Sequence, residues 1–252
     1  MTTPEKQVPR AVYPEERSDE RAQDDNVRDV GVVIVAGGSG TRVGGRELKQ
    51  FRWIGGKPML LHSLQTFMAR SDVVSVVCVL PAPLAGDPPP WIFQCDVDRL
   101  MISVGGKSRQ QSVANGLDDL PDEAQIVLIH DAARPGVTDA TISRVIAATR
   151  RDGAAIAALP VADTIKSADL SGRITGTVER AGLWRAQTPQ GFRRELIVRA
   201  HREGAALKLD ATDDAALCER LGLPVTIVPG DERAMKVTDE GDFARAEALM
   251  NA

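Results

Sequence analysis

Short apolar runs alternate with stretches of helical periodicity through most of this 252-residue chain. The runs have the length of buried strands, and apolar residues between several of them recur with helical spacing. We predict strands over residues 30–36, 73–80, 100–104, 125–130, 154–161 and 224–228. We predict helices over residues 58–70, over residues 138–151 with Thr138 as the N-cap, and from Thr238 onward.

Strands separated by helices favour an α/β fold with a mostly parallel, twisted sheet that helices cover on both faces. Such a sheet binds its ligands at the carboxyl ends of its strands. Residues 1–29 differ from the rest, because they contain eight acids and five bases without apolar periodicity. This segment is predicted to be a disordered tail before a single domain over residues 30–252.

The bulk composition excludes several classes of protein. The net charge is −4 and the isoelectric point is about 5.5, so no broad basic field favours nucleic acid. No apolar run has the length of a membrane span, and no secretory signal opens the chain. The three cysteines are Cys78, Cys95 and Cys218; their odd number and scattered spacing predict free thiols in a reducing, cytoplasmic location.

The first predicted strand runs into a glycine-rich turn, AGGSGTR, over residues 36–42. Such a turn lets backbone N–H groups approach an anion closely. The dinucleotide-binding pattern is absent, because Val43 stands where that pattern requires its last glycine. The P-loop pattern is also absent, because Met101 stands where that pattern requires its first glycine. The cations Arg42 and Lys49 follow the turn and favour a polyphosphate ligand. A plain turn with surface cations remains the alternative.

Asp131 directly follows the predicted strand 125–130 and therefore lies at the same edge as the glycine turn. A carboxylate that faces a triphosphate repels it unless a divalent cation lies between them. Mg²⁺ is the natural choice, because it accepts one or two carboxylates together with phosphate oxygens and water. The alternative is a structural aspartate that caps a helix or pairs with Arg134.

Eight motifs, in order, resemble one enzyme family: AGGSGTR, KQF, GGKSRQQSV, HDAARP, DTIK, ERAGLWRAQTPQ, TDDA and KVT. The chain resembles the 2-C-methyl-D-erythritol 4-phosphate cytidylyltransferases of the non-mevalonate isoprenoid pathway from about residue 30 to its end. The first motif is shared with sugar-nucleotide transferases, whereas the ordered set is far more specific. One departure lies at the strand tip, where many members read P-A-A-G and this chain has Val35, Ala36, Gly37 and Gly38.

The resemblance implies a Rossmann-like nucleotidyltransferase fold and Mg²⁺-dependent transfer of CMP from CTP to a polyol phosphate. Residues 160–192 contain strand-like pieces, a Ser-Gly turn and many polar side chains, which predict an excursion from the sheet. The resemblance also implies a homodimer, in which a protruding β-arm over about residues 161–190 mediates dimerisation. The implied cations around the triphosphate are Arg42, Lys49 and Lys236, and the implied metal-linked acid is Asp131. The implied nucleotide-binding residues are Ala36, Gly37, Gly38, Ser39, Gly40, Gly105, Arg109 and Ser112.

The implied substrate-binding residues are Arg134, Thr164, Arg180, Thr188 and Thr212, and those from 164 to 188 reach in from the partner subunit. The three histidines, His62, His130 and His201, are expected to be structural. One alternative is cytidylyl transfer to another polyol or sugar phosphate, such as ribitol 5-phosphate. Another is a non-catalytic nucleotide-binding regulator, although a sensor has no need for so many cations aimed at a transition state.

Overall fold

The computed structural model describes residues 27–37 and 48–252. The strands are β1 (Val30–Val35), β2 (Trp53–Ile54), β3 (Lys57–Pro58), β4 (Val73–Leu80), β5 (Leu100–Val104), β6 (Ile126–Asp131), β7 (Ala154–Pro160), β8 (Ile165–Ala168), β9 (Ile174–Val178), β10 (Trp184–Arg193) and β11 (Thr226–Pro229). The α-helices are α1 (Met59–Met68), α2 (Ala82–Ala85), α3 (Arg109–Asp118), α4 (Asp139–Asp152), α5 (Arg194–Ala206), α6 (Asp214–Arg220) and α7 (Gly241–Met250). Short 3₁₀ turns lie at Lys49–Phe51, Pro90–Gln94 and Glu232–Ala234.

Seven strands form one central sheet in the order β11-β7-β10-β6-β1-β4-β5. All neighbours pair in parallel except β10, which runs antiparallel between β6 and β7. Each of the six predicted strands is present within two residues of its expected bounds, and Thr138 caps α4 by accepting from the backbone N–H of Thr141. The predicted α/β fold with a mostly parallel sheet is confirmed.

Helices cover both faces of this sheet, and β1 illustrates how its strands bury both sides. Val32 and Ile34 belong to the core cluster that contains α1 and α4, whereas Val33 belongs to the cluster that contains α3 and α5. All three side chains are fully buried. Burial of such a side chain stabilises the fold by about 1.5 to 3 kcal/mol, which explains why the central strands are nearly continuous runs of valine and isoleucine.

The hairpin of β8 and β9 leaves the sheet after β7 and returns into β10. We call residues 161–183 the arm. The predicted arm, residues 161–190, is too long, because β10 is an inner strand of the sheet between β7 and β6. The polar character of β10 suggested an excursion, but its buried Gln187 and Gln190 are satisfied by hydrogen bonds to the segments around Asp231 and Asp213.

The segment just before β1 is attached to the domain. Arg28 donates from Nε to the backbone oxygen of Val73, and Asp29 accepts two hydrogen bonds from Arg150 at 2.6 and 2.9 Å. The predicted tail is therefore wrong at its C-terminal boundary, and its residues 1–26 lie outside the described residues. Of the helices in the part of the chain that is described, none combines the length and the apolar character that a membrane crossing needs. The three cysteines are free thiols, as predicted.

Candidate active site

The carboxyl ends of β1, β4, β5 and β6 meet at one edge of the sheet. The backbone N–H of Ala36 donates to Val79, and that of Gly105 donates to Leu80 at 2.7 Å. Val35, the last residue of β1, is in register with Asp131, the last residue of β6. The sequence predicted the glycine turn and Asp131 at a common edge, and the structure places the start of that turn, Ala36 and Gly37, at the edge where Asp131 lies.

Gly37 and Gly105 lie close together, and a side chain at either position would be crowded. A Cβ atom on Gly37 would lie 3.3 Å from the hydroxyl oxygen of Ser112, and one on Gly105 would lie 3.1 Å from the backbone oxygen of Leu80. The buried Ser112 hydroxyl accepts from the backbone N–H of Gly106 at 3.0 Å and donates to a carbonyl at 2.9 Å. It thereby fastens the turn that precedes α3.

Four small residues thus form a compact wall at this edge of the sheet: Ala36, Gly37, Gly105 and Ser112. Such a wall suits the close approach of a flat base or a sugar. Four other residues that the resemblance implies lie outside the described residues: Gly38, Ser39, Gly40 and Arg42.

Asp131 lies between two cations. Its Oδ1 accepts from Arg109 Nε at 3.1 Å, and its Oδ2 accepts from Lys236 Nζ at 2.6 Å. Burial would raise the pKa of the Asp131 carboxyl, but the charges of Arg109 and Lys236 outweigh that effect and hold the pKa well below its usual range. The carboxylate is therefore ionised at neutral pH and keeps both cations at the edge of the sheet.

Arg109 bridges two carboxylates. Besides Asp131, its Nη1 donates to Oδ2 of Asp214 at 2.7 Å, and Asp214 is 2% exposed. Burial would lower the pKa of Arg109, but the charges of Asp214 and Asp131 outweigh that effect and raise it. The guanidinium is thus held charged and in a fixed plane. Among the described residues, its third nitrogen, Nη2, has no hydrogen-bond partner although it is buried.

Arg134 reaches the same region from the loop after β6. Its Nη1 donates to the backbone oxygen of Ala234 at 2.8 Å, and its Nη2 donates to that of Ala186 at 3.2 Å. Burial lowers the pKa of Arg134, and the negative charge of Asp131, which raises it, only partly offsets this effect. Arg134 therefore ties β10 to the segment that carries Lys236.

Lys49 is the remaining predicted cation that the structure describes. Its Nζ donates to the backbone oxygen of Val237 at 2.6 Å, and Val237 directly follows Lys236. This bond joins residues 188 positions apart in the chain and holds the Lys49 ammonium beside the backbone segment that carries Lys236. Like charges gather at such a place when their common partner is an anion.

A chain of hydrogen bonds lies behind Asp131. The backbone N–H of Asp131 donates to Thr188 Oγ1 at 3.1 Å, and the Thr188 hydroxyl lies 3.0 Å from His130 Nδ1. His130 Nε2 lies 3.1 Å from the carbonyl oxygen of Arg134, which can only accept, so Nε2 carries the hydrogen and Nδ1 accepts from Thr188. Burial lowers the pKa of His130 to about 4, so the ring is neutral and both its nitrogens are occupied.

Thr188 is 4% exposed and bonded to Asp131 of its own chain. The prediction that it reaches the partner's site is therefore wrong, since its hydroxyl is enclosed where it is. Thr164 is exposed at the start of the arm, and Arg180 holds the base of the arm by donating to the backbone oxygen of Ala162. Within this chain, neither Thr164 nor Arg180 contacts the cluster that Asp131 forms with its two cations. Thr212 is exposed and directly precedes the N-cap residue of α6.

Sequence reasoning missed three residues that support the cluster, namely Asp214, His201 and Gln190. Asp214 Oδ1 lies 3.1 Å from His201 Nε2, and Gln190 Oε1 accepts the backbone N–H of Asp214 at 3.1 Å. The sequence does contain a signal for Asp214, because the motif TDDA has a second acid directly after the aspartate that caps α6. No local pattern could distinguish His201 from an ordinary core histidine.

The fit of Mg²⁺ to this site depends on the nucleotide. No group of three or more His, Cys, Asp or Glu side chains within residues 27–37 and 48–252 could hold a metal ion. Asp131 is a single carboxylate whose two oxygens already have cationic partners. Mg²⁺ commonly takes one carboxylate and completes its shell with phosphate oxygens and water, so the residues fit an ion that arrives with a triphosphate.

Comparisons with known proteins point to one family. The family model described as IspD, 2-C-methyl-D-erythritol 4-phosphate cytidylyltransferase, matches residues 30–252. The protein of that name from Roseobacter denitrificans is 45% identical over 226 residues, which cover 88% of this chain and 97% of that protein. A bifunctional IspD/IspF enzyme from Rhodopseudomonas palustris is 43% identical, and the match covers 90% of this chain and 57% of that longer protein.

The solved structures agree with the sequence matches. The crystal structure of 2-C-methyl-D-erythritol 4-phosphate cytidylyltransferase from Thermus thermophilus is 35% identical, with a TM-score of 0.75. The match covers 89% of this chain and all of that one. The motifs, the parallel sheet with its antiparallel β10, and these matches lead to one conclusion: this chain belongs to the 2-C-methyl-D-erythritol 4-phosphate cytidylyltransferase family.

Proposed function

We propose that this protein transfers CMP from CTP to 2-C-methyl-D-erythritol 4-phosphate and releases pyrophosphate. The observation that carries the proposal is the cluster at the carboxyl edge of the sheet, beside the wall of small residues. There Arg109, Arg134, Lys236 and Lys49 outnumber the carboxylates Asp131 and Asp214. Such an excess of positive charge suits two phosphorylated substrates that must meet in one place.

The reaction requires no general base. The phosphate oxygen of the polyol substrate is already ionised, attacks the α-phosphorus of CTP and forms the new P–O bond, while the bond to pyrophosphate breaks. His130 is the histidine nearest to Asp131 in the chain, and its low pKa of about 4 and two occupied nitrogens leave it no role in proton transfer. The chemistry is therefore alignment of two anions and stabilisation of charge that develops on phosphate oxygens.

Lys236 is the cation best placed to turn toward a substrate. Its side chain is 44% exposed, whereas that of Arg109 is 27% exposed and bonded to two carboxylates. Lys236 can therefore turn from Asp131 to a phosphate oxygen, because Arg109 remains bonded to Asp131 when it does so. Lys49, which donates to the backbone oxygen of Val237, adds a second cation beside the segment that carries Lys236.

Asp131 is the residue that would hold Mg²⁺, through the oxygen that Lys236 vacates. When it is bound, Mg²⁺ supplies charge neutralisation on the triphosphate and eases departure of pyrophosphate. The Asp131 carboxylate is well suited to this task, because the low pKa keeps it ionised and the Thr188 bond fixes its backbone.

We also propose that the enzyme is a cytoplasmic homodimer in which the arm contributes Thr164 and Arg180 to the partner's substrate site. The arm exposes apolar side chains, among them Leu170 and Ile174, which are 109% and 67% exposed. Apolar side chains on a projecting hairpin favour burial against another chain. The free thiols of the described chain are compatible with a reducing compartment.

The test is a substrate panel with CTP and Mg²⁺, scored by pyrophosphate release. The panel contains 2-C-methyl-D-erythritol 4-phosphate, ribitol 5-phosphate and glycerol 3-phosphate. We expect kcat/KM to be highest for the first by at least about a hundredfold, since discrimination by a site that hydrogen-bonds substrate hydroxyls is large. A higher value for ribitol 5-phosphate, or no turnover with any acceptor, would contradict the proposal.

A further inference from the structure

We propose that Asp214 is a positioning residue that aims Arg109 at the reacting phosphates. The Asp214 carboxylate bonds to Arg109 and to His201, and of these two only Arg109 also contacts Asp131, so Asp214 acts on the site through Arg109. The inference rests on the proposed function for its kinetic readout, and on the geometry of Arg109 alone for its structural readout.

Arg109 is held by two carboxylates that come from different parts of the fold. Asp131 is the last residue of β6 and accepts from Nε, whereas Asp214 is the first residue of α6 and accepts from Nη1. Two hydrogen bonds from different nitrogens fix both the position and the rotation of the guanidinium. The remaining nitrogen, Nη2, is buried and has no hydrogen-bond partner among the described residues, so it is the donor left for a ligand.

Asp214 is itself held from two sides. His201, on α5, is 6% exposed, and its Nε2 lies 3.1 Å from Asp214 Oδ1. Because the ionised carboxylate can only accept, Nε2 carries the hydrogen. Gln190, in the inner strand β10, accepts hydrogen bonds from the backbone N–H groups of Asp214 and Ala215, each at 3.1 Å. Helix α5 and the sheet therefore both fix the carboxylate that directs Arg109.

The replacement Asp214→Asn keeps the shape of the side chain but leaves one oxygen for two donors. Arg109 Nη1 and His201 Nε2 both need an acceptor, and the new amide NH₂ faces one of them as a donor. We expect kcat to fall about tenfold to a hundredfold, the effect of losing one charge-assisted hydrogen bond. The KM for CTP should change less, because the wall of small residues is untouched.

A double-mutant cycle separates positioning from a merely structural role. If Asp214 acts through Arg109, the Asp214→Asn change lowers kcat in the natural protein but adds nothing in an Arg109→Lys background. If the two losses instead multiply, Asp214 contributes by another route and the inference is overturned. The matched control is Asp72→Asn, which breaks a comparable pair with Arg70 at the opposite end of β4. It should lower the melting temperature and leave kcat unchanged.

The variants of His201 keep the test decisive if Asp214→Asn fails to fold. His201→Gln can still donate to Asp214, whereas His201→Leu cannot. We expect the glutamine variant to retain most of the activity and the leucine variant to lose about fivefold to tenfold in kcat, again with no further loss in the Arg109→Lys background. Equal kcat values for the two variants would show that the hydrogen bond from His201 does not hold Asp214 in place.

The structural readout does not depend on turnover. In a crystal structure of the Asp214→Asn protein, or of His201→Leu in its place, we expect Arg109 Nε to lie beyond about 3.5 Å from Asp131 Oδ1, outside hydrogen-bond range. An Arg109 that keeps its natural position overturns the inference, whichever acceptor the enzyme uses. If the natural protein shows no turnover with CTP, the proposed function fails and this distance still decides the role of Asp214.

Discussion

Replacement of Asp131 by asparagine removes the negative charge that two cations share. Arg109 Nε lies 3.1 Å from one carboxylate oxygen and Lys236 Nζ lies 2.6 Å from the other. Asparagine has one side-chain oxygen, so only one cation keeps an acceptor and the amide NH₂ faces the other. The backbone bond from residue 131 to Thr188 is unaffected, so the change is confined to the charges.

The magnitude follows from the exposure of the two partners. A hydrogen bond to a charged group contributes about 1.5 to 3 kcal/mol, and the Arg109 bond, at a side chain 27% exposed, should keep most of this. The Lys236 side chain is 44% exposed, so solvent screening limits its pair to about 1 kcal/mol or less. The free energy of unfolding should therefore fall by about 2 to 4 kcal/mol, which lowers the melting temperature by roughly 4 to 16 °C.

The assay is thermal unfolding together with pyrophosphate release at saturating CTP. We expect kcat to fall by about a hundredfold or more, because Arg109 and Lys236 lose the group that holds them in place. Asp72→Asn serves as the control, since it removes another partly buried Arg–Asp pair far from the site. If Asp131→Asn kept both the natural melting temperature and the natural kcat, the idea that Asp131 organises the cations would be untenable.

Further measurements test other parts of the site and fold. Thr188→Val should lower stability by about 2 to 4 kcal/mol, because it leaves a buried N–H and a buried ring nitrogen without partners; an unchanged urea midpoint would argue against the hydrogen-bond chain. Lys49→Ala should lower kcat about a hundredfold with little change in the KM for CTP, whereas a raised KM at constant kcat would make Lys49 a ground-state binder. Co-expression of inactive Lys236→Ala and Arg180→Ala chains should recover about a quarter of the natural activity if the arm serves the partner, and none from verified heterodimers if it does not. Removal of residues 1–26 should leave the melting temperature nearly unchanged, and a large loss would mean that the segment packs on the domain.

The sequence by itself determined the sheet and the place of the site. Strands such as β4, Val73–Leu80, are so apolar that both of their faces must be buried. The helical periods between several of the strands favour parallel pairing. Parallel strands bring their carboxyl ends to one edge, which is why the glycine turn and Asp131 could be placed together. These inferences need only local patterns and one general rule of sheet geometry.

Only the tertiary structure decided which distant groups meet at that edge. Arg109 and Asp214 are 105 residues apart, and no periodicity links them. The strand β10 looked like part of the arm because its buried glutamines and Thr188 are polar, and their partners come from elsewhere in the chain. Local sequence reports whether a residue prefers burial or solvent, whereas the burial of a polar side chain depends on partners that only the folded chain supplies.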